Sequence, residues 1–287
     1  MKYYRETVER GTPDFRFSHY TFKESSKVYS FVGLHWHSEI EMLYVKNGAI
    51  SVTVEERKYI LNRGDIIFIE PERVHTVSPF LLPLEYDAAV FSASALSLNS
   101  EHFFGKDIIM PIINGDFEFS GIIDSSFKDY DKLKSHVETL LNKESSKTAV
   151  FASLVGIISL IYDDEYIKKS SRQISKYSSD IKKCLMFIGE NYNRKIKLSE
   201  LSGLIHVSEN YFCGYFKKYT GITPFEQINE TRVKKAAAFL SDSDLTVSEI
   251  AVKCGFENLS YFTRKFKSII GCTPIEYRKA KKQSALY

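Results

Sequence analysis

The chain has 287 residues, 44% apolar and 26% charged, a balance that excludes a disordered tail or a fibre and allows two domains with a core each. A formal net charge of +3 conceals a division: residues 1–170 carry 19 Lys and Arg against 25 Asp and Glu, whereas residues 171–287 carry 20 against 11. The expectation is an acidic module joined to one that approaches a polyanion, and no apolar run is long enough to span a membrane.

The first fifteen residues have charges throughout and no apolar stretch, so they do not read as a signal peptide and a cytoplasmic protein is expected. From Val32 to about Val90, short runs rich in Ile, Val, Phe and Tyr alternate with turn signals. Residues 41–77 parse into four or five strands, with Asn47-Gly48 as a hairpin signal and Asn62-Arg63-Gly64-Asp65 as another turn. Short strands at this spacing predict a small closed β domain, a barrel or jelly roll with an interior cavity. Past residue 120 a helix is predicted with Leu133, Val137, Leu140 and Leu141 on its buried side. Residues 149–162 form a second helix that is apolar almost all round and must be covered on every side. The favoured cover is a second copy of the chain, giving a homodimer; the alternative is burial within its own chain. Residues 166–179 are polar and Ser-rich, and read as the linker between a domain over 1–165 and another over 180–287. The four cysteines, Cys184, Cys213, Cys254 and Cys272, form no close pair and read as small buried side chains.

The basic part contains a repeat. Shifted by fifty, residues 211–227 and 261–277 agree at Tyr211/Tyr261, Phe212/Phe262, Phe216/Phe266, Lys217/Lys267, Gly221/Gly271, Thr223/Thr273, Pro224/Pro274 and Glu226/Glu276. Shifted by forty-nine, residues 198–207 line up with 247–256. Each unit reads as a helix, a tight turn and a second helix. In the second unit Thr246 or Ser248 caps a helix carrying Ile250, Ala251 and Cys254, and Gly255 takes a left-handed turn position. Phe256 fills the angle between the helices, and Asn258 caps the next one, with Phe262 and Phe266 on its buried face. Residues 224–240 form one long helix with Phe225, Ile228, Val233, Ala236 and Leu240 as its apolar stripe. A rigid connector of this kind lets two recognition helices enter successive major grooves of double-stranded DNA, about 34 Å apart.

On the second recognition helix Ser260, Tyr261 and Arg264 should face away from the core. Arg264 is suited to guanine O6 and N7, or else to phosphate; Ser260 to a base edge; the Tyr261 ring to a thymine methyl. The matching positions of the first unit are Asn210, Cys213 and Gly214, of which Asn210 can pair with adenine and Gly214 offers nothing to read. Most base discrimination is therefore expected from the second unit. Lys217, Lys218, Lys265 and Lys267 are expected to contact phosphate, with plain solvated surface as the alternative for any one of them. Arg232 and Glu226 are expected to hold the two units together.

Residues 250–278, IAVKCGFENLSYFTRKFKSIIGCTPIEYR, resemble the signature of the AraC/XylS family of transcriptional regulators, and the resemblance extends over about residues 180–280. Ser202 and Gly214 depart from it in the first unit. Residues 33–48 and 64–75 resemble the two motifs of the cupin sensor domain found in many members. The resemblance implies a mixed, two-domain fold: an N-terminal cupin-like β-barrel with following helices, and a C-terminal all-α domain with two helix-turn-helix units joined by a long helix. It also implies a sequence-specific regulator, more commonly an activator, that binds a small effector such as a sugar or related metabolite, dimerises and works with RNA polymerase. His35, His37, Glu41 and His75 occupy positions that ligate a divalent ion in metal-binding cupins. Two histidines in HxH on a strand share a face, and three imidazoles with a carboxylate suit Zn, Ni, Mn or Fe. The alternatives are an effector pocket without metal, or a structural role; no other cofactor is expected. Trp36, between the two histidines, faces the other way and should pack against helices. No phosphate-binding loop or nucleophile elbow is present, so no enzyme is expected. The remaining rivals are a metal-dependent cupin enzyme with a DNA-binding tail and a non-specific architectural DNA-binding protein.

Overall fold

The computed structural model describes residues 11–12, 15–24, 32–96, 102–170 and 176–284. Most of the first fifteen residues, and residues 171–175 of the expected linker, lie outside the described residues. Among those described, no helix is long and apolar enough to cross a membrane.

The first domain is built on a seven-stranded antiparallel sheet: β1 (Phe17–Glu24), β2 (Val32–His35), β3 (Ile40–Val54), β4 (Arg57–Asn62), β5 (Ile66–Ile69), β6 (His75–Phe91) and β8 (Ile122–Ile123). A small strand β7 (Phe117–Phe119) lies between β6 and β8 in sequence. The long strands β3 and β6 pair along their whole length and carry β1, β2, β4 and β5 on their flanks. Alternation along β3 sorts its side chains: Leu43 and Val45 join Ile50, Val52, Ile67 and Tyr86 in an interior cluster, while Ile40, Met42 and Tyr44 face the helices.

The Asn47-Gly48 signal does not make a hairpin. β3 runs through it, and the pairing with β6 shifts register between Val45 and Ile50. Gly48 has φ 72, and a Cβ there would lie 2.4 Å from the Leu81 carbonyl oxygen. The glycine therefore bends the strand against its partner, as at a bulge. The chain reverses instead at Glu55 and Glu56, with Glu55 at φ 52. The turn expected at Asn62–Asp65 is present, closed by Asp65 N–H donating to the Asn62 carbonyl at 3.0 Å.

Five helical stretches cover the outer face: a 3-10 turn (Ala93–Leu96), a short π-helical segment (Phe104–Ile109), α1 (Met110–Asn114), α2 (Tyr130–Leu141) and α3 (Lys147–Asp163). All four residues expected on the buried side of α2 are buried. Ser146 caps α3, its hydroxyl accepting from Ala149 N–H. Leu154, Ile157, Ile158 and Ile161 of α3 lie in the core, and Phe151, Val155, Leu160 and Tyr162 are packed against it half-buried. Its own chain thus covers one side of α3 fully and these four residues in part. The expected linker starts late: residues 167–169 form β9 (Ile167–Lys169), which pairs with β7, and the Tyr166 hydroxyl donates to the Gly121 carbonyl. Burial of Tyr166 and Ile167 binds this polar stretch to the first domain.

The second domain contains α4 (Lys176–Asn191), α5 (Leu198–Leu204), α6 (Glu209–Thr220), α7 (Pro224–Asp242), α8 (Val247–Lys253), α9 (Leu259–Ile270) and α10 (Pro274–Ser284). Side-chain caps start the helices of both units: Ser208 for α6, Thr223 with Glu226 for α7, Thr246 with Glu249 for α8 and Asn258 for α9. Gly221 and Gly271, both left-handed, end α6 and α9. Phe212 and Phe216 fill the first core, Phe262 and Phe266 the second, each burial worth roughly 1.5–3 kcal/mol. Of the apolar stripe expected on α7, Ile228, Val233, Ala236 and Leu240 are buried, but Phe225 is exposed because Pro224 takes the inward place in that first turn. Burial pushes the thiols of Cys184 and Cys254 up to about 12, which leaves them unreactive.

Candidate functional site

The recognition helices α6 and α9 are positioned by their caps and by paired phenylalanines one turn apart. With Phe262 and Phe266 turned inward, Ser260 and Arg264 are exposed on α9. Tyr261 is only half-exposed: its hydroxyl accepts from the Asn229 side-chain amide of α7 at 3.2 Å, and its ring lies 6.1 Å from that of Phe256. The Arg264 guanidinium lies over the Tyr261 ring at 5.5 Å, which gives the arginine a platform. On α6, Asn210, Gly214 and Lys217 are exposed and Cys213 is half-buried. Lys267 is exposed, whereas Lys265 is half-buried and lies 5.9 Å from the centre of the Tyr261 ring. Lys218 is exposed but engaged, its ammonium 3.2 Å from Glu56 of the first domain.

Arg232 does hold the units together. From α7 it donates to the carbonyls of Tyr192 and Arg194 at the end of α4, and it lies over the Phe256 ring of the second unit. Glu226 has a different task, accepting from Thr223 N–H at 2.7 Å to cap its own helix.

The second candidate site is in the first domain. His35 ends β2, His75 opens β6 opposite it, Glu41 lies on β3, and His37 lies on the connection between β2 and β3. One ligand atom from each lies within 4.8 Å of all the others. His37, Glu41 and His75 are buried and His35 is half-buried. Each histidine Nδ1–H donates to a backbone carbonyl: His35 to Gly33 at 2.9 Å, His37 to Glu39 at 3.0 Å, His75 to Arg73 at 2.9 Å. A carbonyl cannot donate, so Nδ1 carries the proton in all three rings and the Nε2 lone pairs are left for the cluster. Glu41 Oε2 lies 3.2 Å from His37 Nε2 and 2.8 Å from His75 Nε2.

Burial alone would raise the Glu41 carboxyl, but the His37 and His75 rings outweigh it and hold Glu41 well below the usual carboxylate range. Burial first, and then His75, lowers His35 well below the ordinary imidazole value. An ionised carboxylate facing Nε2 lone pairs at these distances requires positive charge between them, either an added proton or a cation. Backbone-locked imidazoles around a carboxylate are a donor set for a divalent first-row metal, and the residues fit one. On the same side of β3 as Glu41, Leu43 and Val45 lead into the apolar cluster of the barrel. A neighbouring cleft of about 30 Å³ is lined by Glu55, Arg57, Glu70 and Arg73.

A helix-turn-helix domain model matches residues 201–280, and a cupin domain model matches residues 30–78. The uncharacterised HTH-type transcriptional regulator YdiP of Escherichia coli (strain K12) is 26% identical over 285 residues, which cover 92% of this chain and 86% of that protein. The melibiose operon regulatory protein of the same strain is 23% identical, over 87% of this chain and 84% of its own. The chain thus carries a helix-turn-helix domain and a cupin domain, and over most of its length it is similar to HTH-type, DNA-binding transcriptional regulators. Among solved structures, ToxT from Vibrio cholerae aligns over 91% of this chain and 97% of its own, at 14% identity and a TM-score of 0.46.

The sequence brings to notice all four residues of the cluster and most of the outward residues of the recognition helices. It misses the partners that bind Tyr261 and Lys218. Asn229 lies thirty-two residues from Tyr261, and Glu56 is in another domain, so no local periodicity signals either contact. Trp36 packs against helices as expected, but the helices are those of the second domain: it shares a buried cluster with Ile181, Cys184 and Leu185 of α4.

Proposed function

We propose that this regulator reads its operator chiefly through α9, with Arg264 on guanine and Ser260 on a neighbouring base edge, while α6 contributes through Asn210. Lys217, Lys265 and Lys267 supply phosphate contacts, and Cys213 and Tyr261 border the read surface. The observation that carries this reading is the pair of capped helices whose outward faces hold hydrogen-bonding side chains over fully buried phenylalanines. The chain acts as a homodimer, so four helix-turn-helix units favour repeated sites, and it recruits RNA polymerase as an activator. The cupin domain senses a small effector, a sugar or related metabolite; the similarity to the melibiose operon regulatory protein supports that class. His35, His37, Glu41 and His75 would hold a divalent metal ion, which when bound supplies a Lewis-acid anchor for an oxygen-bearing effector. No catalytic role is assigned to the chain.

A genome-wide binding map of the tagged protein, with and without candidate carbon sources, tests the proposal. Sharp peaks beside a metabolite operon, changing in occupancy or transcription with one carbon source, are expected. Broad, sequence-poor, highly salt-sensitive binding would favour the architectural alternative. Metal-dependent turnover of a small substrate would favour the enzyme.

A further inference from the structure

The β2 strip has two working faces. His35 and His37 turn toward Glu41 and His75, while Leu34 and Trp36, with Val74, lie in the buried core of the first helix-turn-helix unit. Trp36 is 2% exposed. Around this apolar contact stand two ion pairs of the same polarity. Lys182 of α4 reaches Glu72 at 2.8 Å and lies over the Trp36 ring at 5.5 Å. Lys218, on the last turn of α6, reaches Glu56 on the β3–β4 turn at 3.2 Å. In both pairs the acidic domain supplies the carboxylate and the basic domain the ammonium; on α6, Glu56 takes the Lys218 ammonium that a phosphate would otherwise neutralise, while Lys182 lies on α4, outside the recognition helices.

We propose that this contact is an autoinhibitory latch, in which Glu56 and Glu72 hold Lys218 and Lys182 with Trp36 buried between the domains, so that the cupin domain and DNA compete for the first helix-turn-helix unit. The latch rests on the DNA-binding reading of α6. Only the undocked fraction of the protein then binds with full affinity, and the observed affinity is reduced by that fraction. A ligand at the histidine cluster touches the opposite face of the same strip. It shifts the latch to the extent that it binds the docked and undocked states unequally.

The test uses the full chain and an operator taken from the binding map. Glu56→Gln and Glu72→Gln each tighten operator binding about threefold, as expected for partly exposed ion pairs, and the emission of the single tryptophan shifts to the red as the contact loosens. Removing carboxylates also raises the net positive charge, so Lys182→Gln is the sharper variant. It removes a positive charge, which by bulk electrostatics weakens DNA binding, yet the latch requires it to tighten binding. Unchanged or weaker binding by Lys182→Gln, with the wild-type footprint intact, overturns the latch and leaves the DNA-binding reading standing. A wild-type chain without any specific footprint takes down both.

Discussion

At the turn between its helices the first helix-turn-helix unit holds His206 at φ 57, where the second holds Gly255 at φ 82. Fifty residues apart, Tyr211 is 58% exposed with its ring tilted against that of Tyr215 at 5.7 Å, whereas Tyr261 is bound by Asn229 and packed near Phe256. Where the second unit presents Arg264, the first has Gly214. Beneath these differences the two share their buried phenylalanines, side-chain caps and terminal glycines. Packing fixes the shared positions, because a change of volume there costs kilocalories. The outward positions are free to diverge: the second unit presents Arg264 to solvent, and the first meets the neighbouring domain through Lys218.

The turn gives the largest expected effect. A Cβ at Gly255 would lie 2.6 Å from the Tyr192 carbonyl oxygen, and the left-handed φ adds strain, so Gly255→Val should cost about 3 kcal/mol in denaturant unfolding. His206, exposed in the same conformation, already tolerates a side chain, and His206→Gly should change stability by less than about 1 kcal/mol. Comparable costs at both turns would erase the distinction. Next comes the cluster beside the first unit: His75→Ala should weaken Ni²⁺ binding by at least about a hundredfold. Bound Ni²⁺ should quench Trp36, which lies between His35 and His37 in sequence, in the wild type but not in the variant. Quenching that survives the substitution would place the metal elsewhere. Arg264→Ala should then cost roughly 1–3 kcal/mol of operator discrimination. Asn210→Ala should cost under about 1 kcal/mol, measured by competition between operator and mismatched DNA.

How much of this the sequence disclosed depended on the range of the interaction that decides each feature. The helices of the basic half could be read almost to their caps, since Thr246, Asn258, Gly255 and Gly271 act within a few residues of themselves. His35, His37, Glu41 and His75 came to notice by another route, the resemblance of residues 33–48 and 64–75 to cupin motifs, because no local pattern links His75 to the other three. Asn47-Gly48 misled because the local hairpin preference competes with a close approach to Leu81 on β6, which is a tertiary contact. Residues 166–170 looked like linker because their polarity is local, while the pairing of β9 with β7 spans some fifty residues. The contact between domains had no local signature: Trp36 and Lys218 announced burial and charge, and only the fold supplied Leu185 and Glu56 as their partners.

Gly214 gives the smallest effect and the most direct reading of the first unit. It lies mid-helix in α6, where glycine is about 1 kcal/mol less favourable than alanine, and a Cβ there would meet nothing within 4 Å. Packing within the chain therefore does not require the glycine, and Gly214→Ala should stabilise the protein by about 0.5–1 kcal/mol. Its operator affinity should stay within about twofold if the second unit carries the discrimination, since one outward methyl neither adds nor removes a hydrogen bond. A tenfold loss of operator affinity in a variant that is otherwise more stable would mean that DNA occupies the space in front of Gly214. The first unit would then approach the groove as closely as the second, through its backbone rather than through a reading side chain.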